Sequence, residues 1–184
     1  MSGYLELIIG PMFAGKTTKL VEIYNNHSND TNKVIAVNYT KDTRHSQTMM
    51  ATHDKVEIPC IFIDKLHDIL NYDFILYSNI ILINEGQFFE DIYDTVKYLV
   101  DKLNKAVYIS GLDGDFKRNK FGNLLDLIPL CDNIVKLHSK CKNCNNDAIF
   151  SHRTTTDETQ VVIGAEESYI PLCRSCYIKM NNLN

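Results

Sequence analysis

The sequence predicts an α/β fold in which a parallel central sheet is followed by a small cysteine-bearing ribbon. Short apolar runs alternate with segments of helical spacing between residues 4 and 137, and such alternation implies right-handed βαβ crossovers in a parallel sheet. A glycine-rich loop, GPMFAGKT, directly follows the first apolar run. From about Lys140 the alternation gives way to cysteine pairs and polar residues. We therefore expect an α/β core over residues 1–139 and a ribbon domain over residues 140–184.

The individual elements follow from local apolar patterns. Residues 80–83 form an uninterrupted apolar run, which is typical of a strand covered on both faces. Residues 90–103 carry apolar side chains at helical spacing, and the polar stretch 40–55 has little periodicity and is predicted to be a loop. The other predicted strands are residues 4–9, 34–37, 58–63 (interrupted by Pro59), 106–109 and 134–137, and the other predicted helices are residues 17–26 and 64–70, the latter capped by Asp64.

The composition is that of an ordinary globular protein. The 184 residues are 45% hydrophobic and 23% charged, enough for one well-cored domain with a small appendage. The N-terminus lacks a secretory signal, and no apolar run approaches the roughly 18 residues that span a bilayer. Six cysteines without such a signal favour a reducing compartment, where paired cysteines bind metal more often than they form disulfides. We therefore expect a cytoplasmic protein with no membrane partner.

The loop at residues 10–17 has the pattern G-x-x-x-x-G-K-T between a strand and a helix. Glycines in this pattern let backbone N–H groups face the phosphates of a nucleoside triphosphate, and the helix N-terminus favours the anion. Lys16 would bring a positive charge to the transferred phosphoryl group, and the Thr17 hydroxyl is a suitable Mg²⁺ ligand. A turn without a ligand is the alternative, but eight matching positions in the required context favour a triphosphate site. The candidate residues are Gly10, Pro11, Met12, Phe13, Ala14, Gly15, Lys16 and Thr17.

Two C-x-x-C pairs, with 28 residues between them, mark the C-terminal segment. Four thiolates in two such pairs can bind Zn²⁺ tetrahedrally with no open position, so the predicted site is structural rather than catalytic. A thioredoxin-like redox pair and chance are the alternatives, and duplication of the motif outside a βαβ unit disfavours both. The two remaining cysteines, Cys60 and Cys131, stand alone in apolar surroundings and are expected in the core. The predicted zinc ligands are Cys141, Cys144, Cys173 and Cys176.

Zinc ribbons also occur in nucleic-acid-binding proteins, so that second class of function has to be weighed. Binding to a phosphate backbone requires a basic patch. The whole chain carries a net charge of −4, and residues 140–184 hold as many acidic as basic side chains. This balance disfavours nucleic acid as a partner. The alternative function is a P-loop ATP-binding accessory protein that engages nucleic acid through its ribbon.

A carboxylate follows the apolar run of residues 80–83. In P-loop enzymes an acidic residue at such a strand end acts on the nucleophile and on Mg²⁺, so Glu85 is the candidate general base. A solvated carboxylate at the strand end is the alternative. Asn84 occupies the preceding position, where an Asp is usual.

Several of these segments together resemble the type II thymidine kinases. They include GPMFAGKT at residues 10–17, KDTR at 41–44, EGQFF at 85–89, LDG at 112–114 and both cysteine pairs. The resemblance runs in order from Leu7 to about Lys179 and is far more specific than any single motif. It implies a RecA-like P-loop core, a structural zinc, and a lasso loop that covers the nucleoside.

The resemblance also implies an activity and a set of site residues. The expected reaction is transfer of the γ-phosphoryl group of ATP, with Mg²⁺, to the 5′-hydroxyl of thymidine, with Glu85 as the base. dTTP as feedback inhibitor and a homotetramer are further implications. The additional nucleotide-binding residues that it implies are Asp42, Thr43, Arg44, Asn84, Gly86 and Gln87. The implied substrate-binding residues are Met12, Phe88, Leu112, Phe116, Phe121, Gln160, Val161, Val162, Ile163, Gly164 and Tyr169; core packing is the alternative interpretation of Met12 and the three phenylalanines.

Overall fold

The computed structural model describes residues 2–27, 34–40, 48–52, 54–161 and 166–183. Its centre is a six-stranded parallel sheet, as the alternating pattern predicts. The strands of this sheet are β1 (Tyr4–Ile9), β2 (Val34–Tyr39), β5 (Ile61–Ile63), β6 (Ile80–Ile83), β7 (Ala106–Gly111) and β8 (Asn133–Lys136), in the order β5-β2-β6-β7-β1-β8. Within the described ranges, no helix combines the length and apolar character needed to cross a membrane.

The strand register brings the carboxyl ends of the central strands to one edge. Ile9 of β1 lies beside Gly111 of β7, and Ile83 of β6 lies beside Ile109 of β7. In a parallel sheet all strands end on the same side, and ligands bind there. The glycine-rich loop after β1 and the Asn84–Glu85 segment after β6 therefore share this edge.

Apolar side chains cover both faces of the sheet, as the unbroken run in β6 predicts. Ile81 and Ile83 belong to one buried cluster and Leu82 belongs to the other, because successive side chains of a strand point to opposite faces. The first cluster packs under helix α3 (Ile92–Asp101), and the second packs under helix α1 (Lys16–His27). A further short helix, α2 (Phe74–Tyr77), lies between β5 and β6 in the chain.

One predicted loop and one predicted strand are wrong in detail. The stretch 40–55 is not loop throughout, because β3 (Met49–Ala51) pairs antiparallel with β4 (Glu57–Pro59). The predicted strand 58–63 is two strands in two sheets, since β5 pairs with β2 instead. Pro59 ends β4, which is consistent with a residue that has no N–H to donate to a continuing ladder.

The predicted cap of the helix at residues 64–70 is also wrong. The segment is a 3-10 helix (Leu66–Asn71), and Lys65 occupies its N-cap position without a side-chain hydrogen bond. The first N–H groups donate instead to the carboxylate of Asp91, from Leu66 at 3.0 Å and from His67 at 2.8 Å. A carboxylate from a distant segment thus satisfies the free donors of the helix end, and local sequence carries no signal for it.

The C-terminal segment forms small antiparallel sheets with their own buried cluster. Its strands are β9 (Ser139–Lys140), β10 (Asp147–Ala148), β11 (Phe150–Arg153) and β12 (Tyr169–Leu172), followed by helix α4 (Arg174–Met180). The Tyr177 hydroxyl of α4 donates to the backbone oxygen of Phe116 at 2.6 Å, and the Met12 N–H donates to Ser151 Oγ at 2.9 Å. The segment is therefore bonded directly to the loops at the sheet edge. The division into two domains at residue 139 stays a prediction.

Candidate active site

The glycine-rich loop connects β1 to the first turn of α1. Gly10 has φ +152°, and a Cβ there would lie 2.4 Å from the backbone oxygen of Leu137, so only glycine fits. Lys16 begins α1, and its Nζ donates to the backbone oxygen of Pro11 at 2.8 Å across the loop. Phe13 adopts φ 62° and is 44% exposed. A loop with this curvature at the N-terminus of a twelve-residue helix matches the predicted anion site.

Glu85 leaves the end of β6 in a left-handed conformation, with φ 54° and ψ 42°. Its Oε2 accepts a 2.6 Å hydrogen bond from Gln87 Nε2, and the Oε1 of the same amide accepts the Leu112 N–H at 3.0 Å. The backbone donor at Leu112 fixes which end of the Gln87 amide is oxygen, so its NH₂ group has to face Glu85. Gln87, only 3% exposed, therefore orients this carboxylate.

Backbone shape holds Gln87 in place. Gly122 has φ +57°, and a Cβ at this position would lie 2.0 Å from the backbone oxygen of Gln87. The chain at Gly122 thus passes so close to Gln87 that no side chain fits between them. Sequence reasoning grouped Gln87 with the nucleotide-binding residues; in the structure both polar ends of its side chain bind protein groups.

Asn84 is the centre of a buried network of neutral side chains. Its Oδ1 accepts from Ser110 Oγ at 2.7 Å and from Thr17 Oγ1 at 3.3 Å, and its Nδ2 donates to Asn38 Oδ1 at 3.3 Å. The exposure of Asn84 is 3% and that of Asn38 is 4%. The network joins α1 to the ends of β2, β6 and β7. Asn38 and Ser110 were not predicted, since a polar residue within a strand gives no local indication of what it contacts.

The residues that would hold Mg²⁺ fit a hard cation. Thr17 and Asn84 place a hydroxyl oxygen and an amide oxygen side by side at the phosphate loop. Mg²⁺ prefers oxygen ligands and retains several waters while binding substrate phosphates. Two neutral oxygens are compatible with that coordination, although they supply no negative charge.

Aromatic side chains line the same edge of the sheet. Phe88 stacks on Tyr39 with ring centroids 5.3 Å apart and meets Phe121 edge-on at 5.5 Å. Phe88 is half-buried, whereas Phe121 is 7% exposed. Tyr39 is an aromatic residue that sequence reasoning missed; its place at the end of β2 was the available signal. Met12, Leu112 and Phe116 are each half-buried in the loops at this edge.

The described part of the predicted lasso packs onto these loops. Gln160 Nε2 donates to the carboxylate of Asp115 at 2.9 Å, and the Tyr169 hydroxyl accepts from Arg153 Nε at 3.1 Å. Val161 is 39% exposed. Asp115 and Arg153 were not predicted as site residues. Six of the expected site residues lie outside the described ranges: Asp42, Thr43, Arg44, Val162, Ile163 and Gly164.

The four predicted zinc ligands come together. Each offers a sulfur, and all four sulfurs lie within 4.8 Å of one another, with Cys144 and Cys173 Sγ 3.6 Å apart. Tetrahedral zinc with bonds of about 2.3 Å requires sulfur separations of about 3.8 Å, so the cluster fits this ion. Cys60 and Cys131, by contrast, are half-buried beside the two core clusters, as expected of them.

The thiols of this cluster do not ionise alike. Burial raises the pKa of Cys141, but backbone N–H groups near its sulfur outweigh it and lower the pKa to about 6. Hydrogen bonds with the sulfurs of Cys173 and Cys144 raise the pKa of Cys176 to about 12. Binding of a dication would displace the thiol protons and permit four thiolates.

Comparisons with known proteins point to one family. A family model described as thymidine kinase matches residues 3–177. The chain is 36% identical over 181 residues to the thymidine kinase of Yaba monkey tumor virus (strain VR587), which covers 98% of both chains. It is 39% identical to that of Sheeppox virus (strain KS-1) over 95% of this chain and 97% of the relative. It is 36% identical to thymidine kinase a of Arabidopsis thaliana over 96% of this chain and 76% of the relative.

Proposed function

Since this chain belongs to the thymidine kinase family, we propose that it transfers the γ-phosphoryl group of ATP to the 5′-hydroxyl of thymidine, giving dTMP and ADP. The observation that carries the proposal is the oriented carboxylate of Glu85, which lies at the same sheet edge as the phosphate loop. Family membership supports ATP as donor and thymidine as acceptor. The accessory protein that binds nucleic acid is not favoured by these comparisons.

The proposed proton transfer uses Glu85 and Gln87. The Glu85 carboxylate accepts the proton of the 5′-hydroxyl as its oxygen attacks the γ-phosphorus, and ADP leaves from the opposite side. Gln87 donates to one carboxylate oxygen and is itself bonded to the Leu112 N–H. The Gln87 bond fixes the orientation in which the Glu85 carboxylate meets the substrate hydroxyl. A base held in one orientation loses little freedom in the transition state.

The phosphate loop binds and orients the donor. Its backbone N–H groups and the start of α1 contact the phosphates, and Lys16 exchanges its bond to Pro11 for one to the transferred group. The Thr17 hydroxyl would hold Mg²⁺, with Asn84 beside it, and the ion would neutralise charge on the β- and γ-phosphates. Asp42, Thr43, Arg44 and Gly86 are proposed to complete this half of the site.

The part of the proposed active site that binds the nucleoside is apolar, with polar backbone groups at its rim. Met12, Phe88, Leu112, Phe116 and Phe121 surround the thymine, and such a surface accommodates a flat base and its methyl group. The polar edge of the base bonds to the backbone of residues 160–164, and Tyr169 contacts the sugar or base. Because dTTP carries both thymine and a triphosphate, it fits both halves at once, which is why we propose it as feedback inhibitor.

The proposal also includes a structural zinc ion, an oligomeric state and a cellular compartment. The sulfur cluster binds one structural Zn²⁺, which its geometry supports. A homotetramer and a cytoplasmic location are proposed from family resemblance.

Incubation with Mg-ATP and each natural nucleoside, followed by quantification of the monophosphates, tests this function. We expect dTMP to form fastest, with deoxyuridine as the only close competitor because it differs by one methyl group. Zinc-loaded protein that produces no nucleoside monophosphate would overturn the proposal.

A further inference from the structure

Arg153, at the end of β11, is a buried cation that the proposed chemistry does not use. The residue is 4% exposed, and its guanidinium donates to the backbone oxygens of Asp157 at 2.8 Å, Thr159, and Gln160 at 3.2 Å. Its Nε and Nη2 also donate to the hydroxyl of Tyr169. Every one of these acceptors is neutral, and Arg153 forms no ion pair with the residues that the structure describes.

The same guanidinium stacks on a residue of the proposed base pocket. It lies 3.8 Å from the ring centroid of Phe116 and 5.0 Å from that of Tyr169. Arg153 therefore joins three separate pieces of chain: the backbone of residues 157–160, the start of β12 at Tyr169, and the loop that carries Phe116. A planar group with five donors suits simultaneous stacking and bonding in a way that a lysine ammonium does not.

A second contact holds the same segment through the side chain of residue 160. The carboxylate of Asp115 accepts from Gln160 Nε2 at 2.9 Å, and its other oxygen accepts the N–H groups of Lys117 and Asn119 at 2.9 and 2.8 Å. Asp115 is 8% exposed. Residue 160 is thus held by its backbone oxygen to Arg153 and by its side chain to Asp115, which is the neighbour of Phe116.

The cost of burying this charge argues for a specific role. Burying a cation is expensive, and neutral acceptors compensate for that cost only when all of them are in place. The described carboxylate closest to it in sequence, that of Asp157, accepts instead from the N–H and hydroxyl of Thr159 at 2.8 and 2.7 Å. Arg153 therefore selects one arrangement of residues 157–160 relative to Phe116.

We propose that Arg153 is a positioning residue that sets the affinity for the nucleoside and leaves the phosphoryl-transfer step unchanged. This role rests on the proposed function, because Phe116, Gln160 and Tyr169 are the residues assigned there to thymidine. With Arg153 in place these groups are ordered before thymidine binds. Without it, the binding step has to supply the ordering free energy, and the thymidine KM rises.

Steady-state kinetics of Arg153→Gln and Arg153→Lys in the full-length, zinc-loaded protein test this role. We expect the thymidine KM to rise about 10- to 100-fold in Arg153→Gln, which loses several hydrogen bonds and the stacked plane. The KM for ATP and kcat should stay within about threefold of wild type. Arg153→Lys keeps the charge but lacks the planar set of guanidinium N–H donors, so its thymidine KM should rise by at least about fivefold.

Arg174 provides the matched control. Its guanidinium stacks on Phe150 at 5.1 Å and the residue is exposed. Arg174→Gln and Arg174→Lys should leave all three kinetic constants near wild type. Zinc content is measured for every variant.

Three outcomes would overturn the inference. The first is an unchanged thymidine KM in both Arg153 variants. The second is a fall in kcat equal to the loss in kcat/KM, which would place Arg153 in the chemical step. The third is loss of zinc or of folding even in Arg153→Lys, which would make the residue a purely structural one. A wild-type protein that phosphorylates no nucleoside would instead refute the proposed function itself.

Discussion

Glu85 shows how a single backbone conformation serves a site. Its left-handed φ of 54° is unfavourable for a residue with a side chain, and such conformations cost on the order of 1–3 kcal/mol and persist where the surrounding structure determines them. Here the turn redirects the chain directly after β6, so that Gln87 can bond back to the carboxylate. The local strain and the oriented base are consequences of the same turn.

Glu85→Gln should retain nucleotide binding and lower kcat by roughly 10²–10⁴-fold, the range for loss of a general base. The amide is nearly isosteric, but it cannot take up the substrate proton. Rates at saturating ATP and thymidine provide the measurement, with Glu90→Gln, an exposed carboxylate on the next turn, as control. If Glu85→Gln turns over at nearly the wild-type rate, another group is the base.

Asn84→Asp should lower the half-saturating Mg²⁺ concentration and also destabilise the fold. The carboxylate adds negative charge beside Thr17, but it cannot donate to Asn38 Oδ1 as the amide does. Asn38 Oδ1 still accepts the Tyr39 N–H, but a carboxylate oxygen facing it in place of a donor costs about 1–3 kcal/mol of the free energy of unfolding. Rate against free Mg²⁺, together with urea denaturation, measures both effects, and Asn79→Asp, exposed before β6, is the control. Identical Mg²⁺ curves would show that position 84 does not support the metal.

At the scale of elements, the C-terminal strands depend on sulfur ligation because they enclose little apolar surface. Their buried cluster consists of Cys141, Ala148, Leu172, Cys173 and Tyr177, so two of its five members are themselves predicted zinc ligands. A core this small cannot by itself offset the conformational entropy of the strands. Zinc binding would therefore contribute folding free energy directly.

Cys173→Ser should lower zinc content from one ion per chain and unfold residues 140–184 before the α/β core. A serine hydroxyl replaces a thiolate poorly at a four-sulfur site. Metal analysis and limited proteolysis measure the two effects, and Cys131→Ser, a half-buried thiol outside the cluster, should change neither. Wild-type protein that contains no zinc when prepared without chelators would refute the site.

At the scale of the whole molecule, charge separates the two classes of function considered. The net charge of −4 and the equal numbers of acidic and basic groups in residues 140–184 provide no attraction for a phosphate backbone. The basic groups that the structure places near the site are engaged by the protein. Arg153 binds backbone oxygens, and Lys117 pairs with Glu158 at 2.8 Å.

Titration with fluorescent single-stranded DNA should show no salt-dependent binding at micromolar protein. A nucleic-acid-binding protein would instead bind more tightly as salt is lowered from about 200 to 50 mM, since its contacts release counterions. Lys117→Gln and Lys142→Gln should leave the signal unchanged. Tight, salt-sensitive binding by the wild-type protein would instead support the alternative function, an ATP-binding accessory protein that engages nucleic acid.

Local sequence patterns predicted the parallel sheet, the phosphate loop, the candidate base and the sulfur cluster. Each rests on a short motif or a local period: the glycine spacing of residues 10–17, the apolar run of β6, and two C-x-x-C pairs. The comparisons confirm the family that these motifs resemble. Each of these features is specified by residues that are close together in the chain, so the local sequence is sufficient to predict it.

The contacts that these groups make become apparent only in the folded chain. Asp91 caps a helix that begins 25 residues earlier, Gln87 ties Glu85 to Leu112, and Arg153 joins residue 160 to Phe116. Pro59 was expected to interrupt its strand, but the assignment of the two halves to different sheets follows from which strands they meet. For the three polar contacts the cause is shared: a buried polar group has to find a partner in space, and folding brings that partner from a part of the chain that no local pattern identifies.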